Sequence, residues 1–216
     1  MTNLQKRILT SLVILPLSFF FIIKGGFFLL SFFLFIFFIA NYELFSIFNK
    51  KFTILFLNLV LISSLFTIFY LAENSELTFL LLIWVIILSI CSDVGGYIFG
   101  KIFKWKKLTK ISPKKTFSGA LGSFIFSIFS LFIISNLDIE GSESINFIEV
   151  KFFFISIIFS LVAQLGDITI SYFKRLEKIK DSGNILPGHG GIFDRIDGLM
   201  FVLIITIIFY KVNILP

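Results

Sequence analysis

The sequence predicts an all-α protein: a polytopic bundle of about seven transmembrane helices, within a range of six to eight. Three observations predict it. The chain of 216 residues is 57% hydrophobic, with a mean hydropathy of +1.03, whereas a soluble domain is about 45–50% apolar. Repeated apolar runs reach the roughly 20 residues that a helix needs to cross a bilayer. The basic residues also alternate in density from one inter-span segment to the next, as they do when one face of a membrane is cytosolic.

Apolar windows place the spans at about 8–23, 26–48, 52–72, 77–99, 119–137, 148–172 and 196–213. Only Lys24, Gly25 and Gly26 separate the first two, so these form either a tight hairpin or one re-entrant unit. Lys6 and Arg7 precede the first apolar run, as in a signal peptide. No small-residue cleavage site follows and more apolar segments do, so an uncleaved first span is expected. The run SFFLFIFF at 31–38 is compositionally biased but reads as an ordinary hydrophobic helix. No internal repeat of the inverted-repeat transporter type is visible. The expected division is a variable N-terminal transmembrane region, 1–85, and a catalytic transmembrane region, 86–216, with polar loops at 100–118 and 173–193.

With the N-terminus inside, the inner segments hold Lys6, Arg7, Lys50, Lys51, seven lysines between 101 and 115, and Lys174, Arg175, Lys178, Lys180 and Arg195. The outer segments hold only Lys24, Lys151 and Lys211, and carry Glu73, Glu76, Asp138, Glu140, Glu143 and Glu149. This asymmetry fixes a cytosolic N-terminus as the expectation. Lysine far outnumbers arginine and the chain has 33 Phe, a bias of the kind an AT-rich genome produces, so each arginine is the more informative. Cys91 is the only cysteine. It permits no internal disulfide and reads as a small buried apolar residue.

Four aspartates reach one depth from three spans. Asp93 lies near the inner end of the fourth span, about 9 Å in from Phe99 at helical rise. Asp167 lies near the inner end of the sixth, and Asp194 and Asp197 open the seventh. Gln164, Asp167 and Ser171 share a helix face, as do Asp194 and Asp197. An aspartate inside a membrane costs about 2.5–3.5 kcal/mol on insertion scales. Each could pair with a nearby Lys or Arg, but four together beside a glycine-rich loop suit a hard cation such as Mg²⁺, which prefers carboxylates plus substrate phosphates.

Two loops flank that level. Residues 171–197 read SYFKRLEKIKDSGNILPGHGGIFDRID and contain the only histidine, His189. Pro187, Gly188, Gly190 and Gly191 bring backbone N–H groups together before a helix start, which is a natural phosphate cradle. His189 could donate to a phosphate or form a structural hydrogen bond in the turn. Lys174, Arg175 and Lys180 could anchor the membrane edge or bind an anion. The other loop, 101–122, could be a solvated basic loop on anionic lipid heads. Ser112, Lys115, Thr116, Ser118 and Gly119 around Pro113 also offer phosphate-type donors. The P-loop pattern is absent. Membrane lipid, and no nucleic acid, is the expected neighbour of the basic residues.

These residues resemble the phosphatidate cytidylyltransferase, or CDP-diacylglycerol synthase, family. Its signature is matched at Ser171, Lys174-Arg175, Lys180-Asp181, His189-Gly190-Gly191 and Asp194-Arg195-x-Asp197. The stretch from Asp93 to Lys101, with Gly96-Tyr97 and Gly100, is also similar to the family. So is Ser112-Pro113-x-Lys115-Thr116 followed by Gly119. The likeness covers about 89–200; the first 85 residues match only as a hydrophobic region, and the chain is short for the family. Two departures stand out. Ile170 and Ser118 occupy positions where the family usually has Glu, and the two are expected to lie near each other or near a shared partner.

The resemblance implies an enzyme that joins CTP and phosphatidic acid to give CDP-diacylglycerol and pyrophosphate. It implies a site on the cytosolic side of a bacterial inner membrane, and a homodimer. It implies Mg²⁺ held by Asp181 and Asp194, with Asp167, Asp197 and Asp93 as further ligands, and a second cation such as K⁺. Lys174, Arg175, Lys115 and Arg195 would neutralise phosphates, and the His189-Gly190-Gly191 turn would cradle one. Tyr97, Ser112, Thr116, Ser171, Lys180 and Gly188 would complete the substrate contacts. The alternatives are a CTP-dependent lipid-alcohol kinase of polyprenol or phytol type and, from another class, a cation-coupled transporter. The DGxxAR motif of CDP-alcohol phosphotransferases is missing, since Leu199-Met200 follows Asp197-Gly198.

Overall fold

A computed structural model describes residues 3–109, 111–113, 115–137, 145–179, 182–183, 185 and 190–216. Among the described residues the regular structure is helical, apart from isolated bridges such as Lys107 with Thr116. The helices are α1 (Asn3–Lys24), α2 (Gly26–Ile47), α3 (Lys51–Glu73), α4 (Glu76–Phe103), α5 (Phe117–Ser135), α6 (Val150–Leu176) and α7 (Phe193–Lys211). Five of them, α2 to α6, are long and apolar enough to cross a membrane, which makes this an integral membrane protein.

Gly25 and Gly26 both have positive φ, 60° and 44°, a conformation that a residue with a Cβ adopts at a cost. They fold α1 back on α2, and Phe21 stacks on Phe32 across the turn at 5.0 Å. The first two spans are therefore a tight hairpin. At their C-terminal ends α4 and α6 run past the apolar windows, to Phe103 and Leu176, and α7 begins at Phe193, before its window. Hydropathy marks the stretch in lipid, whereas the hydrogen-bonded helix continues into the polar edge.

α4 is the central helix: Leu80 to Val85 are all buried, and Trp84 packs on Phe147, Phe152 and Phe159. Its N-terminus is fixed by a reciprocal pair, with the Ser75 and Thr78 side chains each bonded to the other's backbone N–H.

The C-terminal half of α4 lies against α5 with almost nothing between the backbones. A Cβ on Gly122 would stand 2.5 Å from both Gly95 O and Phe99 Cβ, and one on Gly96 would stand 2.6 Å from Ser123 Oγ. In lipid, close backbone approach and interhelical hydroxyl bonds replace the hydrophobic drive that water would supply. The hydroxyls follow suit: Ser123 Oγ donates to Ser92 O at 2.8 Å, and the Ser92 and Ser160 hydroxyls share a hydrogen bond of 2.8 Å. Serines thus tie α4, α5 and α6 together at the level of Asp93.

A second buried cluster joins α2, α3, α6 and α7 through Ala40, Leu44, Leu57, Leu61, Ile170, Phe173, Phe193 and Met200. Ile170 is fully buried in it. Ser118 instead faces the start of the α4–α5 connection, where its hydroxyl accepts from Trp105 N and meets Thr116 Oγ1. Ile170 thus packs among aliphatic and aromatic side chains, whereas Ser118 sits among turn hydroxyls.

Candidate active site

A cavity of about 460 Å³ opens between the C-terminal halves of α4 and α6 and the N-terminal ends of α5 and α7. α4 contributes Asp93, Gly96 and Tyr97; α6 contributes Ala163, Gln164, Asp167 and Lys174; α7 contributes Asp194, Arg195 and Asp197. Gly119, Ala120 and Ser123 of α5, with Leu108, Ser112, Lys115 and Thr116 of the preceding loop, close the remaining side. The four aspartates placed at one depth by the sequence do meet in one space, with three cations among them.

The loop before α5 is folded, not merely solvated. Leu108 N donates to Lys115 O at 2.8 Å and Phe117 N to Lys106 O at 3.0 Å, so residues 106–117 form a short hairpin. Ser112 and Pro113 lie at its tip. Lys104, Lys106 and Lys107 are exposed, whereas Lys115 turns into the cavity. Thr116 is the N-cap of α5, its hydroxyl accepting from Gly119 N at 3.1 Å.

Two ion pairs organise the interior. Lys115 Nζ lies 2.5 Å from Asp167 Oδ2 and also donates to Gln164 O at 3.2 Å, which ties the hairpin to α6. Lys174 Nζ lies 2.7 Å from Asp194 Oδ1, and both side chains are nearly buried. The other Asp194 oxygen accepts from Ser182 N at 2.8 Å. Asp194 therefore joins α6, α7 and the connection between them. Asp197 approaches Asp167, with Asp93 close to both. Among the described residues no ion pair within 4 Å is formed by Asp93 or Asp197.

Other expected site residues stand elsewhere. Arg175 is exposed and outside the cavity lining; its Nη1 donates to Ile179 O at 2.7 Å and its Nε to Ile111 O at 3.4 Å. It clamps the tip of the hairpin to the end of α6. Ser171 is buried and does not line the cavity. Gly190 and Gly191 also lie outside the lining. Lys180, Asp181, Gly188 and His189 fall outside the described residues.

One participant escaped the sequence reading. Glu43 of α2 is 2% exposed, and its carboxylate accepts from Phe193 N at 2.8 Å and Ile192 N at 3.1 Å. Two amides at the start of α7, next to the glycine turn expected to cradle a phosphate, are thus held by a carboxylate of the protein. A negative group at a helix N-terminus is favourable for the same reason that a phosphate would be. Gly183 and Gly191 press on the same carboxylate: a Cβ would stand 2.8 Å from Glu43 Oε1 at Gly183 and 2.7 Å from Oε2 at Gly191. The available signal was that Glu43 is the only charged residue in α2, and a lone acid in an apolar span needs a partner.

Comparison with known proteins gives the chain its relatives. The chain is 42% identical over 130 residues to a phosphatidate cytidylyltransferase of Rickettsia conorii, covering 56% of each chain. It is 40% identical over 151 residues to that of Rickettsia prowazekii, covering 68% of this chain and 63% of the relative. It is 41% identical over 121 residues to that of Helicobacter pylori, covering 56% of this chain and 43% of the relative. The chain thus spans about half the length of the curated relatives it matches. The model of the cytidylyltransferase family matches residues 49–213, a range that contains every residue lining the cavity; the chain belongs to the cytidylyltransferase family.

Proposed function

We propose that this protein joins CTP to phosphatidic acid, yielding CDP-diacylglycerol and pyrophosphate, at the cytosolic edge of a bacterial inner membrane. The observation that carries the reading is the cavity in which four aspartates and three cations meet between four helices. The named activity of its bacterial relatives supports the reading. A lipid phosphate can reach such a place from the bilayer and a nucleotide from water.

In the reaction, a phosphate oxygen of the lipid forms a bond to the α-phosphorus of CTP. The bond from that phosphorus to the bridging oxygen breaks, and pyrophosphate leaves with the electron pair. The attacking oxygen is already ionised, so no general base is needed. Both reactants are anions, and the work lies in neutralising and aligning them. Lys115, Lys174 and Arg195 supply positive charge around the cavity. Asp167 and Asp194 hold the two lysines inside it, and incoming phosphates can take over those contacts. Ser112, Thr116 and Tyr97 add hydroxyls to the wall.

The donor set fits Mg²⁺ in a particular way. Among the described residues, the charged and polar side chains of the cavity offer oxygen but neither sulfur nor imidazole, as a hard cation prefers. Among the described residues no three acidic side chains come close enough to form a complete cage. Asp167 and Asp197, which approach each other in the cavity, would hold the ion together with substrate phosphates. Bound there, Mg²⁺ would offset negative charge on the phosphates of CTP.

Purified protein supplied with CTP, phosphatidic acid and Mg²⁺ should release pyrophosphate, lose that activity in EDTA and regain it with Mg²⁺. Release of CDP instead would identify a lipid-alcohol kinase, and release of neither would refute the reading.

A further inference from the structure

We propose that Glu43 is a positioning residue for the reaction: it holds the start of α7 and the connection before it in the arrangement that presents Asp194 and Arg195 to the cavity. This rests on the activity proposed above. Glu43 precedes the matched family region, which starts at residue 49, and it belongs to a helix that contributes nothing to the cavity lining.

Four contacts converge on its carboxylate. Phe193 N and Ile192 N donate to separate oxygens, and Gly183 and Gly191 approach so closely that neither leaves room for a Cβ. Gly183 lies in the connection after α6 and the other three groups at the entry to α7, so one side chain joins two points of the chain that are ten residues apart. Asp194 directly follows the second donor, and its Oδ2 accepts from Ser182 N, next to Gly183. The Asp194 carboxylate is therefore set from two sides by backbone whose position Glu43 determines. A neutral amide at position 43 would direct an N–H at another N–H, because both donors at α7 require acceptors. Misplacement of reacting groups by about 1 Å costs on the order of a hundredfold in rate.

The test compares full-length wild type with Glu43→Gln and Glu43→Asp in vesicles. The Asp variant keeps the charge and withdraws it by one methylene. Hydrogen exchange in segment 182–193 should accelerate at least tenfold in either variant. With rates normalised to the folded fraction, kcat should fall at least tenfold and KM for CTP should rise at least fivefold. A variant that was only less well folded would lose rate in proportion to its folded fraction and keep both KM values. Unchanged exchange, or faster exchange with normal kinetics, overturns the proposal. If Glu43→Gln does not fold, Glu43→Asp carries the same outcomes. Should wild type release no pyrophosphate, the activity reading falls, while the exchange comparison still decides whether Glu43 fixes the segment.

Discussion

Replacing Asp194 by Asn tests both the internal ion pair and the proposed chemistry. The Lys174 and Asp194 side chains are 8% and 14% exposed, with 2.7 Å between Nζ and Oδ1. Removing one member of a buried pair leaves the other charge without compensation, at a cost of about 3–5 kcal/mol. Asn retains one acceptor for Lys174, which puts Asp194→Asn near the lower end, about 3 kcal/mol, or on the order of a hundredfold in the folded-to-unfolded ratio. Lys174→Met leaves the aspartate stranded and should cost a similar amount. The double variant carries neither charge and should lie within about 1 kcal/mol of wild type, giving a coupling energy of about 5 kcal/mol. Activity should not follow stability. Pyrophosphate release should drop by about 10²–10³-fold in Asp194→Asn and stay low in the double variant. Denaturant unfolding in detergent and a pyrophosphate assay on the same preparations give both quantities. A double variant as unstable as the sum of the single ones would refute the buried pair. Near-normal turnover in Asp194→Asn would refute the role in catalysis.

Three further outcomes are expected. Gly122→Ala places a Cβ 2.5 Å from Gly95 O, about 1 Å short of ordinary contact; α4 and α5 must part, and unfolding should show a loss of about 1–3 kcal/mol. Lys115→Met removes the cation between the hairpin and Asp167 and should lower kcat/KM by about 10²-fold in steady-state kinetics. Arg175→Lys cannot reproduce the fork that reaches Ile111 O and Ile179 O. Proteolysis within 105–117 should quicken, with a smaller loss of turnover than Lys115→Met causes.

Helix number and order were legible because a bilayer imposes length and composition on whatever crosses it, and the apolar windows coincide with α1 to α7 to within several residues. The meeting of Asp93, Asp167, Asp194 and Asp197 was legible because helical rise converts sequence distance into depth. Side-chain direction was less accessible. Arg175 adjoins Lys174 in sequence, yet one turns to backbone carbonyls and the other to Asp194, a difference of about 100° around the helix that a motif does not encode. Glu43 was obscured because its partners are backbone amides about 150 residues away, which leave no residue-type signature. The glycines at 95 and 122 were likewise silent, because the space they leave is defined only once two helices are in contact.

The glycine contacts between α4 and α5 determine which parts of the cavity can give way. Helices in backbone contact have no side-chain layer through which to slide, so these two form one stiff wall. The serine hydroxyls tie α6 to that wall at the level of Asp93, and on the cavity side the tie between the wall and α6 is the Lys115 pair with Asp167. Any widening of the cavity therefore falls to the side built of α6 and α7, where the contact that has to yield first is an ion pair and not a seam of backbone.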